Sequence, residues 1–200
     1  MKLMIASNNS HKVKEIREIL AQDFMRMDTL KEAGLSIDVA EDGETFVQNA
    51  VKKAEEVLAA SGYPAALADD SGLMVDALGG APGVYSARYA GPAHDDAANN
   101  RKLMQDMERV ADEERGCRFV CAVALARAGR PTLAVQGFCE GRLLRQARGQ
   151  SGFGYDPYFF YEPLGKSFAE LTAEQKNAVS HRRRALEALR IALREEAGRI

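Results

Sequence analysis

The sequence predicts an α/β fold built on a mixed sheet, and three observations carry that expectation. Apolar residues recur with helical spacing in four stretches, and short apolar runs of strand character stand between the earlier ones. Two later strand-like runs flank Ala128-Gly129-Arg130-Pro131, a segment of hairpin-turn composition. Strands that alternate with helices favour parallel pairing, whereas a hairpin adds an antiparallel pair, so the sheet should contain both.

Taken in order, residues 2–6 read as a buried strand, followed by the polar loop Ser7-Asn8-Asn9-Ser10. A helix then carries Val13, Ile16, Ile19, Leu20 and Phe24 on one face. A second helix is expected from about Thr45 to Ala60, stopped by Gly62 with Pro64 beyond. A strand at 65–69 runs out into the turn Asp69-Asp70-Ser71-Gly72, and a second strand-like run follows over 73–78. Residues 79–92 are rich in Gly and Pro and read as loop. Asp95–Val110 is expected to be helical, with Leu103, Met104, Met107 and Val110 inward. Strands over 118–126 and 132–139 form the hairpin, and Gly149–Tyr155 is a further loop before Tyr158-Phe159-Phe160-Tyr161. One last helix starts at Thr172, where Gln175 completes a capping box, and runs to about residue 197.

Length and composition bound the function. Two hundred residues make one large domain or two small lobes with a real core. A net charge of −2 argues against non-specific binding to a nucleic-acid backbone, so any anionic ligand must be met by local positive charge. No apolar run approaches the ~20 residues of a membrane span, and the apolar stretch at the amino terminus is short for a secretion signal. The chain is therefore expected in the cytoplasm. The three cysteines agree, because Cys117 and Cys121 lie roughly 13 Å apart on one strand, too far for a disulfide or a shared metal. With Cys139 alone, all three read as reduced packing residues.

Five places carry candidate chemistry. Asp69 and Asp70 stand where an apolar segment meets a glycine-rich turn, a position that in open α/β sheets faces ligand; ordinary turn chemistry would also account for them. Lys12 opens a helix behind small polar residues, as in an anion cradle, although a capped helix with a solvated lysine reads the same. It lacks the glycines of a P-loop. Lys53 lies beside Asn49 at the edge of the second helix's apolar arc, either snorkelling or reaching an anion. Just upstream, Ala40-Glu41-Asp42-Gly43 supplies acids that could face those at 69–70, and carboxylates from two segments suit Mg²⁺. On the last helix Arg182 shares the inward stripe of Val179, Leu186, Leu189, Leu193 and Ala197, so it needs an anion, an aromatic partner or a salt bridge. His181 beside it reads as packing when taken alone. Gly152-Phe153-Gly154-Tyr155-Asp156-Pro157 offers either a tight turn or an aromatic face for a base.

These segments, in this order, resemble the inosine/xanthosine triphosphate pyrophosphatase family, also called Ham1-like or RdgB-like, over essentially the whole chain. The likeness is carried by Ser7-Asn8-Asn9-Ser10-His11-Lys12, Glu44-Thr45-Phe46-Val47-Gln48-Asn49-Ala50 and Ala68-Asp69-Asp70-Ser71-Gly72-Leu73. It continues through Gly79-Gly80-Ala81-Pro82-Gly83, then 84–88, Gly152–Pro157 and Ser180-His181-Arg182. The resemblance implies a two-lobed protomer around a long mixed β-sheet (the ITPase-like, Maf/Ham1 fold), with residues 1–200 forming one such domain, a cleft between its lobes, and a homodimer. It also implies Mg²⁺-dependent hydrolysis of non-canonical purine triphosphates (ITP, dITP, XTP) to the monophosphate and pyrophosphate, cleansing the nucleotide pool. Carried onto this chain, Ser7, Asn8, Asn9, Ser10, His11 and Lys12 would cradle phosphates with Lys53. Glu41 and Asp70 would hold the metal, Asp70 would also be the base that activates water, and Ser71 would touch substrate. Phe153, Gly154, Tyr155, Asp156, Lys176, His181 and Arg182 would grip the nucleotide, with Phe153 stacked on the base. Two departures stand out: Gln48 replaces a common glutamate, and Ser10-His11 replace smaller residues. Two other readings compete with a hydrolase: a non-catalytic nucleotide sensor that keeps the cradle, and a nucleic-acid module using Arg182–Arg184, which the overall charge disfavours.

Overall fold

The computed structural model describes residues 2–198 and contains a seven-stranded mixed sheet in the order β2-β1-β3-β4-β5-β6-β7. The strands are β1 (Lys2–Ile5), β2 (Arg26–Thr29), β3 (Ala65–Val75), β4 (Gly116–Arg127), β5 (Arg130–Leu143), β6 (Phe159–Tyr161) and β7 (Lys166–Ser167). The helices are α1 (Ser10–Leu20), α2 (Phe46–Ser61), α3 (Asp96–Asp106), α4 (Ala173–Val179) and α5 (His181–Ala197). β1 pairs in parallel with β2 and β3, whereas β5–β6 and β6–β7 are antiparallel, so both expected pairings occur.

The chain divides into two compact units. The first comprises Met1–Asp70, Cys121–Gly137 and Arg182–Ile200. Its core follows from strand alternation: Leu3 and Ile5 of β1, Ala65 and Leu67 of β3, and Cys121, Val123 and Leu125 of β4 share one sheet face. Against them lie Val13, Ile16, Ile19 and Leu20 of α1 and Ala185, Leu186 and Leu189 of α5. α2 packs beside β1. It is bounded by a Thr45–Gln48 capping box and by Gly62 in the left-handed region at φ 68°.

The second unit comprises Ser71–Val120 and Phe138–His181. Its core gathers Leu73 and Val75, Leu103 and Met107 of α3, Phe119, Leu143, Phe159 and Phe168. Phe159 centres the aromatic cluster, with ring centroids 4.6 Å from both Phe119 and Phe168.

Four expectations need correction. Asp69-Asp70-Ser71-Gly72 is no turn: β3 runs through it without a break to Val75, and 76–78 is a 3₁₀ turn. Acids persist in a buried strand here because cations meet each carboxylate. β2 lacks an apolar pattern (Arg-Met-Asp-Thr) and was not expected; it forms as a parallel edge beside β1. The last helix is two helices, because Ser180 is extended at φ −67°, ψ 157°. That places Val179 at the end of α4, away from the α5 stripe. Finally, α3 ends at Asp106, short of Val110, and Phe24 lies beyond α1 although it packs on the same core. Cys117, Cys121 and Cys139 are buried on β4 and β5, in keeping with a packing role. Burial pushes the Cys121 thiol up to about 12.

Candidate active site

Strand geometry splits the two acids that the sequence sets side by side. Successive side chains of a strand leave opposite faces, so Asp69 and Asp70 meet different elements. Asp69 turns to α1 and α5. Its Oδ2 accepts hydrogen bonds from Arg182 Nε (3.1 Å) and Nη2 (2.9 Å), and Lys12 Nζ lies 3.3 Å away. Arg182 is wholly buried, and its Nη1 donates to Glu15 on α1. Burial alone would push the Asp69 carboxyl up, but Lys12, Arg182 and Lys53 outweigh it and hold it well below the ordinary carboxylate range.

Asp70 turns to α2. Its Oδ2 accepts from Asn49 Nδ2 at 2.9 Å, and Lys53 Nζ stands 3.8 Å from its Oδ1. Lys53 Nζ also donates to Glu41 Oε1 at 2.6 Å and to the Asp69 carbonyl at 2.7 Å. One buried ammonium thus ties together carboxylates from the 40–43 loop and from β3. Asn49 reinforces the link, since its Oδ1 accepts the Gly43 amide at 2.8 Å. A Cβ at Gly43 would come within 2.7 Å of that oxygen, so glycine is required for the approach. Burial, then the negative charge of Glu41, push the Asp70 carboxyl up against the pull of Lys53, Lys12 and Asn49. Burial acts to lower the Lys53 pKa, but Asp70, Glu41 and Asp69 outweigh it and keep the ammonium charged.

The residues fit a hard cation with few protein ligands. Glu41 and Asp70 offer oxygen from two segments around a single point, and the like-charge strain on Asp70 is what a divalent ion would relieve. Among the described residues no group of three or more His, Cys, Asp and Glu is placed to hold a metal.

The Ser7–Lys12 loop is built by Asn9. Asn9 Oδ1 caps α1 by accepting the His11 (3.0 Å) and Lys12 (3.2 Å) amides, and its own amide donates to Ser7 Oγ at 3.2 Å. Asn8, Ser10 and His11 are exposed around the positive end of the α1 dipole.

In the second unit the 152–157 loop folds on Asp156. Its Oδ2 accepts the Phe153 amide at 2.9 Å and Lys176 Nζ at 2.7 Å, and that ammonium lies 4.5 Å from the centre of the Phe153 ring. Gly152, at φ 80°, is compelled, because a Cβ there would meet Asp156 Oδ2 at 2.2 Å. Tyr155 is buried and donates its hydroxyl to the Ser86 carbonyl at 2.8 Å. His181 stacks on Phe119 with centroids 4.8 Å apart. Ser71 is half-buried on β3, next in chain to Asp70.

The expected residues thus fall into two groups: Lys12, Glu41, Lys53, Asp70 and Arg182 in the first unit, and Phe153, Gly154, Tyr155, Asp156, Lys176 and His181 in the second. Of the partners left open for Arg182, the structure supplies the salt bridge. Sequence reasoning placed Asp69 beside Asp70 as an acid facing ligand, not as the partner of Arg182 and Lys12, and gave no role to Asn49 or Glu15. Asn49 had a signal, one turn before Lys53 on the same arc; Glu15 stood next to Ile16 on the inward side of α1. Gln48 serves α2, its side chain accepting the Glu44 (2.8 Å) and Thr45 (3.0 Å) amides.

The chain is similar to known proteins along nearly its whole length. The model of the Ham1 family matches residues 3–192. A dITP/XTP pyrophosphatase of Clostridium perfringens is 47% identical over 194 residues, covering 94% of this chain and 95% of that protein. A second dITP/XTP pyrophosphatase, from Desulforamulus reducens, is 48% identical over 93% of this chain and 92% of its own length. The Ham1 protein of Staphylococcus aureus superposes with a TM-score of 0.85 at 37% identity, over 98% of this chain and all of that one. With that match in sequence and fold along nearly its entire length, the protein is a member of the Ham1 family.

Proposed function

We propose that this protein hydrolyses non-canonical purine nucleoside triphosphates (dITP, ITP and XTP) to the monophosphate and pyrophosphate, with Mg²⁺ as cofactor. The observation that carries the reading is the buried Asp70, gathered with Glu41 around Lys53 and hydrogen-bonded by Asn49, in a chain nearly half identical to dITP/XTP pyrophosphatases. Glu41 and Asp70 would hold the cation, which when bound supplies positive charge to the phosphate oxygens. Lys12 and Lys53 add their charge to the triphosphate, and the Ser7–His11 loop presents its polar side chains and the α1 dipole to it. Asp70 accepts a proton from water as that oxygen attacks the α-phosphorus, and the bond to the leaving pyrophosphate breaks. A carboxyl raised by burial is a stronger proton acceptor than an ordinary aspartate.

The second unit reads the base. Phe153 offers a stacking face, and Lys176 beside it, with the loop amides, offers donors for the C6 oxygen of hypoxanthine or xanthine. Adenine would bring an amino group to those donors and leave them unpaired, which disfavours it. Ser71 lies between these groups in sequence and would contact substrate. His181 shapes the wall through Phe119, and Arg182 acts through Asp69. We infer also that the chain works as a homodimer in the cytoplasm and binds no nucleic acid; exposed Tyr85 and Phe138, the buried cysteines and the net charge of −2 support these points.

Asp70→Asn tests the assignment. With dITP and Mg²⁺, turnover should fall by about 10²–10⁴ while circular dichroism and melting stay near wild type. Wild-type enzyme should release pyrophosphate; orthophosphate as first product, or a fully active Asp70→Asn, would overturn the reaction as written.

A further inference from the structure

The loop proposed to read the base is held from outside as well as by its own Asp156. The start of α3 grips the Gly154 peptide on both sides: its amide donates to Asp96 Oδ2 at 2.7 Å, and its carbonyl accepts Asn100 Nδ2 at 2.9 Å. Asp96 and Asn100 are one helical turn apart and so reach the same peptide from one face. Neither interaction is needed by α3 itself, whose first amides are capped by Asp95. Gly154 sits at φ 60°, where a peptide reorients with little steric resistance, so its orientation depends on outside anchors. The carbonyl oxygen of the Asn100 side chain is buried with no hydrogen-bond partner, a cost that an apolar residue would avoid. Next on the helix, Asn99 anchors the 87–90 turn through the Ala90 amide (2.7 Å) and the Ala87 carbonyl (3.1 Å), so α3 is already fixed to its surroundings.

We propose that Asp96 and Asn100 are positioning residues for purine selectivity: they lock the Gly154 peptide, and with it the Phe153 ring and the Lys176–Asp156 pair, in the one arrangement that matches a 6-oxo purine lacking a 2-amino group. The inference rests on the reading of the 153–156 loop as the base site. Hydrogen-bond recognition tolerates misplacement of only about 0.5 Å, so a loosened loop adapts to the wrong base as readily as to the right one.

The test compares Asp96→Ala, Asn100→Asp and the conservative Asp96→Asn, which keeps an acceptor for the Gly154 amide. Asp96→Ala and Asn100→Asp should raise KM for dITP about tenfold with kcat within about twofold, and should cut the preference for dITP over dGTP by a similar factor. Asp96→Asn should restore both. In parallel, NMR hydrogen exchange of the Gly154 amide should accelerate roughly tenfold in Asp96→Ala and not in Asp96→Asn. Unchanged base preference in Asp96→Ala, with wild type hydrolysing dITP, overturns the positioning role, as does faster exchange without a change in preference. If wild type neither hydrolyses dITP nor, as Asp70→Asn, binds it more tightly than dGTP, the base-site reading itself falls, and this inference with it.

Discussion

At the scale of single residues, the least expected group is Arg182. Its place on the inward stripe of α5 is readable from spacing, but its partners are not: Asp69 and Glu15 lie 113 and 167 residues away in sequence. A guanidinium with no solvent exposure between two carboxylates cannot also reach out to a ligand without breaking one of them. Its work is to keep Asp69 ionised, and Asp69 in turn holds Lys12 Nζ and, through its carbonyl, Lys53 Nζ. Removing Arg182 strands a buried negative charge, which typically costs about 3–5 kcal/mol. Arg182→Met is therefore expected to lower stability by that amount in urea unfolding, and Asp69→Asn added to it should recover a large part. The double variant should lose turnover, because Lys12 loses its anchor. If Arg182→Met keeps its stability while KM for dITP rises, Arg182 is instead a direct ligand of the nucleotide.

At the scale of elements, α1 is tied to the turn after β2 by one exposed cluster. Glu32 accepts from the Thr29 amide (2.8 Å) and from Arg17 of α1, and Arg17 also donates to the Met27 carbonyl at 2.9 Å. The Arg17 guanidinium, then the Thr29 amide, lower the Glu32 carboxyl to about 2, against an ordinary ~4.3. A carboxyl depressed in the folded state stabilises it fully above the unfolded value and ceases to as pH falls through the folded one. The melting deficit of Glu32→Gln should therefore be present at pH 7, shrink below about pH 4 and vanish near pH 2. In Arg17→Ala the Glu32 carbon resonance should titrate closer to 4; an unmoved midpoint would show that Arg17 is not the cause. Elements with a strong period or a cap were legible, as with α2 between Thr45 and Gly62. β2 was not, because Arg-Met-Asp-Thr has no pattern and forms only where β1 offers an edge. The run through Asp69 and Asp70 looked like a turn because its charges are neutralised by Lys12, Lys53 and Arg182, which local sequence does not show. The break at Ser180 had a signal, serine being a favoured start for a helix, but the continuous apolar stripe concealed it.

At the scale of the molecule, an acidic chain is proposed to bind a substrate with about four negative charges, so local groups must override the net charge of −2. The candidate groups for phosphate all fall in one unit and those for the base in the other. If one nucleotide engages both sets, its parts alone should bind far less well than the whole, since each fragment makes half the contacts and still loses its own freedom. Asp70→Asn, in which turnover is expected to be slow, makes this measurable as thermal stabilisation. At about 100 times its Kd, dITP with Mg²⁺ adds about 2.7 kcal/mol, a rise of roughly 5–10 °C for a chain of this length. Inorganic tripolyphosphate or deoxyinosine at the same concentration should each give a small fraction of that rise. Chelating the divalent ion should reduce the dITP effect, and so should Lys53→Met. Tripolyphosphate matching dITP degree for degree would mean that Phe153 and Lys176 take no part in binding, and would confine substrate to the unit that carries Asp70.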